Sequence, residues 1–148
     1  GAIGGFTTGK KEIIEILRQR SRPYLFSNSI PPMVAAAGIR VFQMMDETNE
    51  LQNKLHQNTD YFVTKMKALG FDIKPTQSAI CAVMLYDAKL SQDFAAGMLD
   101  EGIYVTGFYY PVVPKGQARI RVQISAAHEM EHLDQCIAAF EKVKRSLL

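Results

Sequence analysis

Tryptophan is absent from this sequence, and cysteine occurs only twice, at Cys81 and Cys136. The two cysteines are far apart and each lies in an apolar stretch, which favours buried free thiols over a disulfide framework. Free thiols are typical of reducing compartments, so we predict a cytoplasmic protein. No apolar run reaches the roughly 20 residues that span a bilayer, and the net charge is only +2. The composition therefore gives no reason to expect a membrane or nucleic acid as a partner.

An initial methionine is also missing, and the chain begins with a glycine-rich stretch, GAIGGFTTG. This stretch has no charged segment followed by an apolar one, as a secretory signal would. We expect the chain to be a processed protein or a part of a longer one. It has 148 residues, of which 47% are hydrophobic and 22% charged, so it is long enough to bury a core of its own.

The hydrophobic periodicity changes from a helical to a mixed pattern along the chain. In the first part, apolar residues recur at intervals of three and four, and Pro31 and Pro32 are placed to begin a helix because proline fits the first helical turn. From Gly70 onward, short apolar runs alternate with helical segments, and Gly70 and Gly102 are predicted helix caps. The predicted helices cover residues 10–22, 33–69, 91–102 and 126–147, and the predicted strands cover residues 79–87, 103–113 and 118–125.

The predicted helix over residues 33–69 exceeds the normal length of a globular helix, so we predict a bend or break near DETNE, residues 46–50. The whole pattern is α/β, with a helical front and a small sheet behind it.

HEMEH, residues 128–132, matches the H-E-x-x-H spacing, which on a helix places two imidazoles on one face for zinc. On the predicted final helix, however, His128 and His132 lie about 100° from the centre of the apolar face, at its boundary or on the surface. A third ligand would have to come from the few residues that follow. We therefore favour a solvated histidine pair over a metal site.

GGFTTGKK fits the phosphate-binding pattern G-x-x-x-x-G-K from Gly4 to Lys10. Lys11 stands where that pattern needs serine or threonine for magnesium, and no strand is predicted before it. A glycine-rich turn that leads into a helix is the better interpretation.

ARIRVQIS is the clearest strand, because Ile120 and Val122 alternate with Arg119 and Arg121. A planar guanidinium on a rigid strand suits bidentate binding of a carboxylate or phosphate. The spacing alone leaves two alternatives open: the arginines bind an anion, or they solvate an edge strand.

FSNS, residues 26–29, precedes Pro31 and a predicted helix start. Its hydroxyl and amide groups suit an anion, commonly a phosphate. The simpler alternative, that Ser29 caps the helix, is favoured on spacing alone.

Two longer stretches, QRSRPYLFSNSIPP and EGIYVTGFYYPVVPKGQARIRVQISAAH, closely resemble the α-oxoamine synthases, a family of pyridoxal-phosphate-dependent acyltransferases. The resemblance covers essentially the whole chain. SRPYLFSNS and FYYPVVPKGQARIR fit the glycine C-acetyltransferase (2-amino-3-ketobutyrate coenzyme A ligase) branch best. The sister 8-amino-7-oxononanoate and 5-aminolevulinate synthases share the outline of these motifs and remain alternatives.

The resemblance implies the C-terminal small domain of a fold-type-I PLP-dependent transferase, a small antiparallel sheet with helices. It assigns residues 1–50 to the tail of the large domain and the interdomain helix, and residues 51–148 to the small domain. The boundary is expected near Asn49 to Leu55.

The resemblance also implies the chemistry, which is the interconversion of glycine plus acetyl-CoA and 2-amino-3-ketobutyrate plus CoA in threonine catabolism. Arg121 matches the family's clamp on the substrate carboxylate, whereas Arg119 has no such role. Ser27 and Asn28 match residues that reach the phosphate of pyridoxal 5'-phosphate in the partner subunit of a homodimer.

The family's cofactor-binding lysine is expected upstream of Gly1, and Lys10 and Lys11 do not match it. We therefore expect no catalytic residue in this chain, and no activity from the chain alone. The family commonly carries SAAH at residues 125–128, but His132 is not part of its pattern. An alternative of another class is a non-catalytic interaction module.

Overall fold

The computed structural model describes residues 3–148, and the chain divides into two compact units, Gly1–Asn49 and Glu50–Leu148. The first unit is helical and the second contains the sheet. The assignment of these units to a large and a small domain stays a prediction. None of the helices in residues 3–148 is both long and apolar enough to cross a membrane.

The first unit contains three helices, α1 (Lys11–Arg20), α2 (Arg22–Phe26) and α3 (Pro32–Glu47). The predicted α1 and the predicted start of α3 at the prolines are confirmed. The predicted helices did not include α2. Pro23 lies in the first turn of α2, where a residue without an N–H group costs no hydrogen bond.

The long helix predicted over residues 33–69 is interrupted. Helix α3 ends at Glu47, and α4 covers Glu50–Ala68. Thr48 has an extended backbone conformation with φ −158° and ψ 151°, which a continuous helix does not tolerate. The predicted break near DETNE is confirmed.

The second unit contains one sheet and two further helices, α5 (Ala88–Asp100) and α6 (Met130–Leu147). The strands lie in the order β1-β2-β4-β3, and every neighbouring pair is antiparallel. This confirms the predicted small antiparallel sheet. The strands are β1 (Ile73–Lys74), β2 (Ile80–Tyr86), β3 (Thr106–Phe108) and β4 (Ala118–Gln123).

Three element boundaries differ most clearly from the prediction. Strand β3 is three residues long rather than eleven, because turns and prolines follow it. Helix α5 begins earlier, since the side chain of Asp87 accepts the backbone N–H of Leu90 at 2.7 Å and caps the helix there. Helix α6 begins at Met130 rather than Ala126, because residues 125–128 form a turn closed by the His128 N–H on the Ser125 carbonyl.

Gly70 and Gly102 end their helices as predicted. Both have positive φ, 74° and 78°, a conformation that glycine adopts without steric cost. Behind Gly70, the Phe71 N–H binds the Met66 carbonyl, and behind Gly102 the N–H of Ile103 binds the carbonyl of Met98. These are the hydrogen bonds of a Schellman cap, and they turn the chain from each helix back toward the sheet.

Helices α4, α5 and α6 cover one face of the sheet and form a single core with it. Four aromatic rings form the centre of this core: Phe62, Phe71, Phe94 and Phe140. The inward side of β4 contributes Ile120 and Val122, which are buried, whereas Arg121 and Gln123 point to the other face and are exposed. The alternation predicted for β4 is confirmed, and it positions Arg121 away from the core.

Asn58 on α4 anchors the turn before α6. Its side-chain amide donates to the carbonyls of Ser125 at 3.1 Å and His128 at 2.8 Å, and the residue is 3% exposed. We expect Asn58→Ala to lower the free energy of unfolding by about 2 kcal/mol, because two carbonyl groups lose their donor. Urea unfolding measures this loss.

Asn53→Ala is the matched control for this prediction, since Asn53 lies exposed on the same helix. It should leave the stability unchanged or raise it slightly, because alanine has the higher helix propensity. Equal unfolding midpoints for the two variants would show that Asn58 does not anchor the turn.

Candidate functional site

The second unit contains a cavity of about 720 Å³ beside the end of strand β4. Strand β3 pairs with β4 only opposite residues 119–121, so the edge of β4 beyond Arg121 has no β3 neighbour. The residues before β3 and the start of α6 enclose the gap. The cavity is lined by residues 102–106, Phe108, residues 121–124, Ala127, His128, His132, Leu133, Gln135 and Cys136.

Arg121 lies in the wall of this cavity. Strand pairing places it opposite Ala82 on β2 and Thr106 on β3, and its guanidinium lies 5.8 Å from the ring centre of Phe108. The cation–π contact orients the guanidinium, and none of the described carboxylates forms an ion pair with it. An oriented and unpaired guanidinium is suited to bind a carboxylate from outside the chain.

Arg119 differs from Arg121 although it lies on the same strand. Its Nε donates to the Gln117 carbonyl at 2.9 Å, and the residue is half-buried between its strand partners Met84 and Phe108. One N–H group of Arg119 is therefore already used in a hydrogen bond within the protein. The spacing alone did not decide between the two arginines, and Arg121 is the one that lines the cavity.

The two histidines of HEMEH do not lie on one helix. His128 belongs to the turn before α6 and His132 to its first turn, so the interpretation as a pair on a surface helix is wrong for His128. The Nδ1 of His128 accepts the Ser125 N–H at 3.2 Å, and that of His132 accepts the Glu129 N–H at 3.0 Å. Their rings are 6.4 Å apart. Each imidazole thus accepts a hydrogen bond from a backbone N–H three residues earlier. In a zinc-binding H-E-x-x-H motif, both imidazoles would instead project from one helix toward the metal.

Glu129 completes the start of α6. Its side chain accepts the backbone N–H of His132, which forms a reciprocal capping box. A hydrogen bond and ion pair with Lys54 at 2.6 Å lower the pKa of the Glu129 carboxyl below its usual 4.5. Because the folded pKa is lowered, this contribution to stability is present above pH 4.5 and is lost as the pH falls through the folded value.

Cys136 is the thiol in the cavity wall. Burial raises its pKa to about 11, and the same cause raises the pKa of the fully buried Cys81 to about 11. Both thiols are therefore protonated and poorly nucleophilic at neutral pH. Cys81 and Cys136 are free in the structure, as the sequence predicted.

Ser27 and Asn28 lie in the first unit, in the segment between α2 and α3. Both residues are exposed, and their side chains have no hydrogen-bond partner within residues 3–148. Pro31 is the N-cap of α3 without a side-chain cap, so the prediction that Ser29 caps the helix is wrong. These free hydroxyl and amide groups fit a phosphate, which accepts several hydrogen bonds from such donors.

The glycine-rich start does not resemble a P-loop in structure. Gly4–Lys10 leads directly into α1, and no strand precedes it in the described part of the chain. Gly4 has φ 87°, and a Cβ there would lie 2.6 Å from the side chain of Ile30. This glycine is therefore required by local packing.

The chain matches the family described as aminotransferase class I and II over residues 1–140. The 2-amino-3-ketobutyrate coenzyme A ligase of Escherichia coli K12 is 51% identical over 99% of this chain and 37% of its own length. The human mitochondrial protein of that name is 49% identical over 98% of this chain and 35% of its own length. The 8-amino-7-oxononanoate synthase of Petrotoga mobilis is 44% identical over 99% and 37%.

Solved structures agree with these relatives. A serine palmitoyltransferase from S. paucimobilis, with a bound PLP–myriocin adduct, is 30% identical and has a TM-score of 0.84 over 90% of this chain and 34% of its own. The chain thus spans somewhat more than a third of the length of the proteins it resembles. The resemblance to the α-oxoamine synthases and the predicted fold class are confirmed. The cytoplasmic location stays a prediction, since the human relative is named mitochondrial.

The sequence predicted Arg121 as a carboxylate-binding residue, but it did not predict the cavity that Arg121 lines. No sequence pattern indicated that Phe108 belongs to the site, because its contact with Arg121 depends on the register of β3 against β4. Gln123 lies two residues after Arg121 on the same side of β4, so the alternation of the strand could have identified it as a second residue of the site.

Proposed function

The chain belongs to the aminotransferase class I and II family, and from this premise we propose that it is the C-terminal, carboxylate-binding part of a PLP-dependent acyltransferase. The reaction proposed for the whole protein joins glycine and acetyl-CoA to give 2-amino-3-ketobutyrate and CoA, or runs in reverse as a step of threonine catabolism. The proposal concerns the full-length protein, because this chain spans about 37% of the length of its Escherichia coli relative.

The position of Arg121 in the cavity wall, without an ion-pair partner among the described carboxylates, is the main support for this proposal. The substrate glycine is small, and its carboxylate is the one group that a planar guanidinium can bind with two parallel hydrogen bonds. The rigid strand and the ring of Phe108 hold the guanidinium in place. Fixing the carboxylate fixes the orientation of the Cα–H bond, which is what a protein contributes when the cofactor supplies the chemistry.

Ser27 and Asn28 are proposed to bind the phosphate of pyridoxal 5'-phosphate in the partner subunit of a homodimer. Their exposed donors without protein partners support this role. When bound, pyridoxal phosphate supplies the electron sink for carbanion chemistry at the substrate. The residues of this chain anchor its phosphate and the substrate carboxylate.

We expect Ser27→Ala in the full-length protein to weaken pyridoxal phosphate binding about tenfold, because one hydrogen bond to a charged phosphate is lost. Equilibrium dialysis against the cofactor measures the dissociation constant. Ser29→Ala is the matched control, as Ser29 lies two residues away in the same exposed segment and has no proposed contact. Equal weakening by both variants would contradict a specific role for Ser27.

The activity is tested by incubating the full-length protein with pyridoxal phosphate, glycine and one acyl-CoA at a time, and by measuring the release of free CoA thiol. We expect release with acetyl-CoA and glycine together and none without glycine. A preference for a longer acyl-CoA would instead favour a sister synthase, and the 44% identity to an 8-amino-7-oxononanoate synthase supports testing this alternative. The chain alone, purified and assayed in the same way, should be inactive.

A further inference from the structure

We propose that His128 and His132 form a second anion subsite in the cavity, which binds a small carboxylate with a short apolar chain independently of Arg121. The volume left for this subsite rests on the proposed binding of glycine at Arg121, whereas the geometry of the histidines does not. The cavity of about 720 Å³ is within the range of sites for drug-sized ligands, whereas glycine has only five non-hydrogen atoms. Most of the cavity is therefore left over when glycine is bound at Arg121.

The hydrogen bonds of the two histidines determine which nitrogen carries the proton. Each Nδ1 accepts a backbone N–H, from Ser125 and Glu129 respectively, so it has no proton in the neutral ring. The proton of each ring then lies on Nε2, which makes Nε2–H a donor.

Both Nε2–H groups are free to bind a ligand. The hydrogen bonds of the two imidazole rings within residues 3–148 are those of their Nδ1 atoms. His132 is exposed and His128 is half-buried, and both histidines line the cavity. The geometry is that of two fixed donors from consecutive turns of the chain.

The charge and polarity of the wall select the ligand. No aspartate or glutamate lines the cavity, and Gln123 adds a further amide donor. Glu129, the acid next in sequence to His128, is paired with Lys54 and does not line the cavity. The remaining wall is largely apolar and includes Ile103, Val105 and Leu133. Donors beside an apolar wall suit an anionic head on a short hydrocarbon chain.

The test uses butyrate as the probe and its neutral isostere butyramide as the comparison, with the full-length protein in a calorimeter. His132→Asn and His128→Asn each keep a side-chain carbonyl oxygen near the position of Nδ1, which can accept the same backbone N–H. The shorter amide has no atom at the position of Nε2, so the donor that faces the ligand is lost. We expect each variant to weaken butyrate binding about tenfold, because one charge-assisted hydrogen bond is lost. Butyramide should bind weakly and equally to all forms.

Two further measurements separate this subsite from the Arg121 site. Arg121→Ala should retain butyrate binding within about threefold, although it impairs glycine binding. Saturating butyrate should slow the alkylation of Cys136, which shares the cavity wall, and leave Cys81 unaffected. Butyrate affinity that is unchanged in both histidine variants, or lost only in Arg121→Ala, would overturn the proposal. Tight binding of inorganic phosphate without butyrate binding would overturn the assignment to a carboxylate.

Discussion

Replacing Arg121 by alanine in the full-length protein is expected to raise the KM for glycine at least about 100-fold. The guanidinium offers two parallel hydrogen bonds to a carboxylate, and each charge-assisted bond contributes about 1.5–3 kcal/mol. A loss of about 3 kcal/mol corresponds to a factor of somewhat more than 100. Steady-state kinetics at varied glycine concentration, with saturating acetyl-CoA, measures this change. The pyridoxal phosphate content should stay close to that of the unaltered protein.

Two companion variants make the result specific. Arg121→Lys keeps the positive charge but not the planar fork, so it should recover only a part of the glycine affinity. Arg119→Lys is the matched control on the same strand, because Arg119 donates to the Gln117 carbonyl rather than into the cavity. Its glycine KM should change less than about threefold. An unaltered glycine dependence in Arg121→Ala would refute the assignment of Arg121 as the carboxylate clamp.

Replacing Phe140 by alanine is expected to lower the free energy of unfolding of the sheet-containing unit by about 3–5 kcal/mol. Phe140 is fully buried on α6, and its ring contacts those of Phe62, Phe71 and Phe94 at centroid distances between 5.5 and 6.3 Å. The loss combines apolar burial, aromatic contacts and the cavity left behind. It is a large fraction of the 5–15 kcal/mol that typically stabilises a domain.

Urea unfolding followed by far-ultraviolet circular dichroism measures this effect, with the slope of the transition as a check on two-state behaviour. Phe140→Leu should cost less than Phe140→Ala, because it keeps a large apolar side chain in the same space. Leu147→Ala is the control on the same helix, since Leu147 is exposed near the end of α6. A loss below about 1 kcal/mol for Phe140→Ala would mean that the four-ring cluster does not hold α4, α5 and α6 on the sheet.

The predictable part of the fold follows from local rules. The break at Thr48 followed from helix length, the caps at Gly70 and Gly102 from the special backbone freedom of glycine, and strand β4 from its strict alternation. These features depend on residues next to one another in the sequence. Strand β1 could not be predicted in this way, because its two residues form a strand only by pairing with β2.

The histidine pair shows how a motif fails without its local structure. H-E-x-x-H predicts a metal site only when both histidines lie on the same helix. The carbonyl groups of Ser125 and His128 are bound by Asn58, nearly seventy residues earlier in the chain. That long-range contact holds residues 125–128 in a turn and delays the start of α6, and nothing within HEMEH could indicate it.

The sequence by itself determined that Arg121 points away from the core, because the two-residue period of a strand assigns every side chain to one face. It also determined the family, through two long motifs. Only the tertiary structure decided that Arg121, His128, His132 and Cys136 line one cavity, because the edge of β4 is left open by the short β3 and closed by the start of α6. Contacts between distant segments arise from packing, and a local pattern does not encode them.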